Sequence, residues 1–185
     1  AALEDVHEES VVAAIVLALG LLEDDAATDA LIARFEKERA PFLRGYLCLA
    51  LGLINPPRPA LAAEFEHMAR EESDVELIRW ALIGLGLVGD RARIDALAGD
   101  AGQLSGTVRR ASVIHGLGLV GDSATVAPLL SIFHDLQQPD YVRTYALQAP
   151  GEVVDPRPIS PARPLSEYVE LNHDVGFLFE LYRVL

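Results

Sequence analysis

Five histidines and one cysteine are the residues of this sequence whose side chains most often bind metals or act as nucleophiles. Imidazole is a common metal ligand, but a site needs several ligands converging at set spacings. The histidines are instead scattered, one to a segment of the chain: His7, His67, His115, His134 and His173. The sequence therefore predicts no metal site and no bound cofactor.

A nucleophile needs a base within reach, and the sequence offers no such pair. Cys48 stands between two leucines with Arg44 as its nearest basic neighbour, which favours a buried structural thiol. Ser112, Ser123 and Ser131 have no evident histidine and acid partners. We expect no catalytic residue. A lone cysteine also excludes a disulfide within the chain, which is typical of a reducing compartment such as the cytoplasm.

The glycine-rich segment 84–89 looks like a phosphate-binding loop but has a different explanation. Such loops place glycine before a helix and supply a lysine, whereas Gly84-Leu-Gly-Leu-Val-Gly89 ends an apolar segment and has no lysine beside it. The same seven residues, Gly84 to Asp90, recur at Gly116 to Asp122, a shift of 32. A repeat explains them better than a ligand.

The repeat is a small-Leu-Gly-Leu signature that occurs four times, with its glycines separated by 32, 34 and 32 residues. The copies are Ala18-Leu19-Gly20-Leu21, Ala50-Leu51-Gly52-Leu53, Gly84-Leu85-Gly86-Leu87 and Gly116-Leu117-Gly118-Leu119. A fifth, degraded copy runs from Val142-Arg143 to Gly151. Repeats of this period are typical of stacked structural units.

Each signature closes an apolar segment of helical length, and amphipathic stretches lie between several of them. The apolar segments are 11–22, 43–54, 75–88 and 108–120, and the amphipathic ones are 26–39, 60–71 and 125–137. Gly89 and Gly121 are placed to end helices, and Asp90 and Asp122 to cap the next helix or turn. The glycines inside the signature weaken a helix, so we expect them at close contacts between stacked helices.

The pattern Val-Arg, Ala, small-Leu-Gly-x-Val-Gly-Asp resembles HEAT repeats of the PBS-lyase-like subclass, most clearly over residues 74–150. The resemblance implies an all-α, right-handed α-α superhelix of four to five helix pairs, with the second helix of each pair lining a concave binding surface. Candidate residues of that surface are Arg44, Arg79, Trp80, Arg110, His115 and Arg143. It also implies a ladder of turn aspartates and arginines, namely Asp90 and Asp122 with Arg110 and Arg143, to which Arg44, Arg79, Asp74 and Asp140 are further candidates.

Three domains are predicted: HEAT-like repeats over 1–152, a proline-rich extended segment over 153–165, and an apolar C-terminal cap over 166–185. Alternating prolines exclude helix from the second of these. The last is too apolar to stay in water, so we expect it to fold back on the last repeat; a partner-binding peptide is the alternative.

Charge and hydropathy limit the partners. A net charge of -13 opposes the electrostatic attraction on which nucleic-acid binders depend. The apolar run 11–22 is too short to cross a bilayer. The sequence thus favours a non-catalytic scaffold or adaptor that binds a protein partner, without nucleic acid or membrane. The alternative, from the resembled subclass, is an enzyme or chaperone handling a bilin or other tetrapyrrole. The oligomeric state stays open.

Overall fold

The computed structural model describes residues 9–154, apart from the side chains of Glu152 and Val154, and over this range the fold is all-α. The described residues form nine α-helices and three short 3₁₀ turns. The helices are α1 (Glu9–Leu21), α2 (Thr28–Lys37), α3 (Pro41–Ile54), α4 (Pro59–Glu71), α5 (Val75–Val88), α6 (Arg91–Asp100), α7 (Thr107–Val120), α8 (Val126–His134) and α9 (Asp140–Val154). The 3₁₀ turns are Asp25–Ala27, Ala101–Gln103 and Ser123–Thr125. The all-α prediction is confirmed.

The turns form as their residues predict. Gly89 and Gly121 follow α5 and α7 in the left-handed conformation, with φ of 74° and 73°. The side chain of Asp90 accepts the backbone N–H of Arg93 and so caps α6, and Asp122 accepts the N–H of Ala124 in the next turn. The reversals after α5 and after α7 are therefore each fixed by one glycine and one aspartate.

The odd-numbered helices pack side by side in chain order, α1 on α3, α3 on α5, α5 on α7 and α7 on α9. The signature glycines lie at these contacts. A Cβ atom on Gly20 would lie 2.6 Å from the Cα atom of Ala50, and one on Gly116 would lie 2.4 Å from Cδ1 of Leu82. At Gly20 the neighbouring atom belongs to the backbone, so only a residue without a side chain fits there, whereas at Gly116 the end of the Leu82 side chain would have to shift. The expectation that the signature glycines mark helix contacts is confirmed for Gly20, Gly52, Gly84, Gly86 and Gly116.

The odd helices run parallel to one another. Gly45 of α3 lies against Trp80 of α5, and Gly52, two turns further along α3, lies against Gly84 and Leu87. Contacts that advance in the same direction along both helices require parallel axes. Gly86 against Val120 continues the same order between α5 and α7.

The even-numbered helices cover one side of this row. The α4 helix packs against α5, and α8 against α9, while α2 packs against α3. Phe35 of α2 and Phe65 of α4 meet edge to face with their centroids 5.8 Å apart, and both are buried. The core therefore lies between the two sets of helices, where burial of apolar side chains stabilises the stack.

Two helices have bounds that the apolar pattern did not give. The α6 helix occupies Arg91–Asp100. The α9 helix continues through Pro150 and Gly151 to Val154. The predicted proline-rich segment beyond 154 and the C-terminal cap 166–185 lie outside the described residues. Within those residues, none of the helices combines the length and apolar character needed to span a bilayer.

Candidate functional site

The side of the odd helices that faces away from the even helices carries exposed apolar side chains. Among residues 9–154, eight of the ten exposed large apolar side chains lie on odd helices, none lies on an even helix, and the other two, Leu22 and Leu136, lie in turns. Val108 is 57% exposed, Leu119 40% and Leu87 39%. We call this surface the open face and define it by residues at helical spacing in α3, α5, α7 and α9. They are Phe42, Leu49, Leu53, Ile83, Leu87, Val108, His115, Leu119 and Tyr141.

The repeated signature itself produces the open face. The two leucines of small-Leu-Gly-Leu are two residues apart, which is about 200° around a helix. Leu85 and Leu117, the first leucines in α5 and α7, are fully buried, whereas the second, Leu87 and Leu119, are exposed. One motif thus supplies a core residue and a surface residue in each of these copies. The sequence shows that the two leucines lie on opposite sides of the helix, but not which of them remains exposed.

Trp80 lies at the border of the open face and is partly exposed. Its indole packs on Gly45, where a Cβ atom would lie only 2.5 Å from Cδ1 of the indole. The ring stacks on Tyr46 with centroids 5.8 Å apart and an interplanar angle of 30°. Phe42 extends the cluster, 5.0 Å from Tyr46. Trp80 therefore has both a packing role and a surface that a partner can reach.

Arg79 and His115 also belong to this side of the row. The guanidinium of Arg79 donates to the carboxylate of Glu76 on the same helix. Burial lowers the pKa of Arg79, while the phenol of Tyr145 and the carboxylate of Asp74 act in the opposite direction. The ring of His115 lies 5.6 Å from that of Tyr145 on α9. The guanidinium of Arg79, the imidazole of His115, the phenol of Tyr145 and the indole of Trp80 therefore all lie on this side of the row.

Three of the six candidate surface residues point elsewhere. Arg44 donates to Glu72 at 2.9 Å and to Glu64 at 3.2 Å, and Arg110 donates to Gln138 at 2.6 Å. Arg143 donates to Asp140 at 3.3 Å and to the carbonyl of Phe133 at 2.9 Å. Apart from Asp140, which is on the same helix as Arg143, these partners lie on even helices and in turns. Arg44, Arg110 and Arg143 therefore bond to neighbouring elements and do not line the open face.

The arginines predicted to form a ladder bond to partners other than Asp90 and Asp122. Asp90 pairs with Arg93 at 3.0 Å, and Asp122 lies 3.5 Å from Arg91. The reason is helix length. Arg110 is the fourth residue of α7, while Asp122 lies beyond the helix's last residue, which places them about 18 Å apart along the axis at 1.5 Å per residue. Parallel odd helices therefore keep the ladder arginines at one end and these aspartates at the other.

Arg109 has a role that the sequence did not indicate. Its guanidinium donates to the backbone carbonyls of Glu71 and Glu72, both at 2.9 Å, at the C-terminal end of α4. The last carbonyls of a helix lack partners within the helix and favour cations. The adjacent Arg109 and Arg110 thus make two separate structural contacts, one with the end of α4 and one with Gln138.

The potential nucleophiles are in structural surroundings. Cys48 is fully buried, and burial raises the pKa of its thiol. The hydroxyl of Ser112 donates to the carbonyl of Val108 at 2.9 Å. Among the described side chains, no group of three or more His, Cys, Asp or Glu residues is arranged to hold a metal ion. The geometry of these groups favours packing over chemistry.

Comparison of the chain with family models, curated proteins and solved structures finds no match. The resemblance to HEAT repeats therefore stays a prediction from the repeated signature.

Proposed function

We propose that this protein is a non-catalytic scaffold of HEAT-like repeats that binds a protein partner on its open face. The observation that carries the proposal is the exposed apolar row itself, with Leu87, Val108 and Leu119 on successive odd helices. Exposed apolar surface that continues across several elements is typical of a protein interface. Isolated exposed leucines would not support an interface, because they are common on any surface.

The arrangement of the odd helices supports a concave surface. The odd helices lie parallel in one row, each packed on the next in chain order. A curved row of such helices is the geometry expected of a solenoid that grips its partner, and the resemblance to HEAT repeats implies that curvature here.

Charge favours a protein over nucleic acid as that partner. The chain carries a net charge of -13, and the ladder arginines are already bonded to neighbouring units. The open face offers mainly aliphatic and aromatic side chains, whose burial supplies affinity for another apolar surface.

Affinity capture with face and control variants of the full chain tests the proposal. In the face variant, Leu87→Glu and Leu119→Glu are combined; in the control, Leu136→Glu alters a leucine that is 77% exposed between α8 and α9. Burying two leucines contributes roughly 3 kcal/mol or more, so the face variant should bind a stoichiometric partner about 100-fold more weakly. The control should bind like the wild type, and circular dichroism should show both variants folded.

Two results would contradict the scaffold function. One is capture of the same proteins by the wild type and the face variant. The other is uptake of a bilin by the purified protein with a shift of its absorption, which would support the enzyme or chaperone alternative.

A further inference from the structure

Arg79 is out of register with the other repeat arginines. Arg44 and Arg110 each stand eight residues before the glycine at the third position of their signature, Gly52 and Gly118, whereas Arg79 stands seven before Gly86. One residue turns a side chain by about 100° around the helix. Arg79 therefore occupies the position that Gly45 and Ala111 take in α3 and α7.

The shift removes the partner that the ladder would supply. Arg44 and Arg110 both bond to the residue 28 positions further on, Glu72 and Gln138. The residue 28 positions after Arg79 is Thr107, which has no carboxylate or amide to offer. The guanidinium instead bonds to the exposed carboxylate of Glu76, three residues earlier on the same helix. Exposed pairs of this kind contribute little.

The surroundings of Arg79 suit the binding of a negatively charged group of a partner. Its side chain is 18% exposed, and Trp80 stands beside it. The Nε atoms of Arg44, Arg79 and Arg110 are all buried without acceptors, so the donors that a partner could reach are those at the end of the guanidinium group. In Arg79 this end bonds to the exposed carboxylate of Glu76, whereas in Arg44 and Arg110 it bonds to Glu72 and Gln138. A guanidinium presents five donors in a planar fork that matches a carboxylate. Arg79 thus keeps donors available within an apolar surface.

We propose that Arg79 receives a carboxylate of the partner, carried by an apolar segment that lies across α3, α5 and α7. Trp80 and Leu87 contact the apolar side chains next to that carboxylate. This inference rests on the proposed function and specifies the chemistry of its partner. A second copy of the chain fits less well, because two molecules of charge -13 repel each other. A polyanion is opposed by the same charge.

A displayed library of random peptides is the probe that tests this chemistry. Peptides of about 16 residues are long enough, because a helix of that length extends about 24 Å. Selection on the wild-type chain should enrich apolar peptides that share one Asp or Glu. Their affinity should fall about tenfold or more for Arg79→Gln, since a charged pair in an apolar interface is strongly coupled. Arg91→Gln, at a side chain that is 82% exposed on α6, should leave the affinity for the peptides unchanged.

A change in the peptide provides a test that does not depend on folding of a variant. Replacing the shared carboxylate by its amide should weaken binding to the wild type but not to Arg79→Gln. Enriched peptides without an acid, or equal binding by Arg79→Gln, would overturn the inference and leave the scaffold function standing. A selection that is equally successful on the Leu87→Glu, Leu119→Glu variant would instead overturn the scaffold function.

Discussion

Gly52 of α3 and Gly84 of α5 face each other across the contact between their helices, and a Cβ atom on Gly52 would lie 3.0 Å from the Cα atom of Gly84. Both are signature glycines. Their mutual contact brings two backbones together with no side chain between them, and Gly20 of the first copy meets Ala50 of the second with only a methyl group between. The small residues of the repeated motif thus allow the helix backbones to pack closely.

Substitution of Gly84 should show what this contact contributes. A Cβ atom there would lie 2.9 Å from the carbonyl oxygen of Cys48, a backbone atom that cannot move independently. Gly84→Ala should therefore lower the free energy of unfolding despite the higher helix propensity of alanine. Gly99→Ala in α6, where nothing lies within 4 Å of the new atom, should raise it. Urea unfolding followed by circular dichroism should separate the two variants by about 1–3 kcal/mol.

The opposite order of stability would contradict the packing role of Gly84. Equal stability would show that the α3–α5 contact relaxes to admit a methyl group.

The repeated elements were predictable because their signals are local. Gly89 and Asp90 define a turn by their own backbone and side-chain preferences, and the spacing of Gly84 and Gly116 required a contact between units. The α6 helix was less visible. Its buried apolar residues are only Ile94, Leu97 and Ala98, too few for a clear periodic pattern.

The partners of the arginines were not predictable from the same signals. Whether Arg110 meets Asp122 or Gln138 depends on which end of a parallel helix each residue occupies. The spacing of residues along the chain does not reveal whether the helices are parallel. Likewise, the one-residue shift of Arg79 is visible in the sequence, but its consequence requires knowing which side of α5 the even helices cover. Register within an element was predictable; the side that remains open was not.

Cys48 gives a prediction about alkaline pH. Burial raises the pKa of its thiol above the ordinary value of 9.0, and Arg44 opposes this only in part. The folded chain therefore keeps a proton that the unfolded chain releases, so the thiol's contribution to stability is complete below 9.0 and falls as the pH rises above it. Between about pH 8 and about pH 10 the wild type should lose about 1.4 kcal/mol more than Cys48→Ala in urea unfolding. Parallel pH profiles for the two proteins would mean that the thiol is accessible to solvent.

Glu38, in the turn between α2 and α3, gives the corresponding prediction for acid. Its carboxylate accepts the backbone N–H groups of Arg39 at 2.8 Å and Ala40 at 2.9 Å, and Nε–H of Arg34 at 3.0 Å. Burial raises the pKa of Glu38, but the hydrogen bonds from Ala40, Arg39 and Arg34 outweigh burial and lower it below the ordinary 4.5. The ionised carboxylate therefore stabilises the turn above 4.5, and this contribution is lost as the pH falls through the lowered pKa.

Replacing Glu38 by glutamine should accordingly matter at neutral pH and less in acid. Glu38→Gln should lower the free energy of unfolding by about 1–2 kcal/mol at neutral pH, because one acceptor and the charge are lost. The difference from the wild type should shrink as the pH falls below 4.5 and through the lowered pKa of Glu38. Glu36→Gln, at an exposed residue of α2, is the matched control and should have little effect at either pH. If the Glu38→Gln difference stays constant over this range, the turn depends on the shape of the side chain and not on its charge.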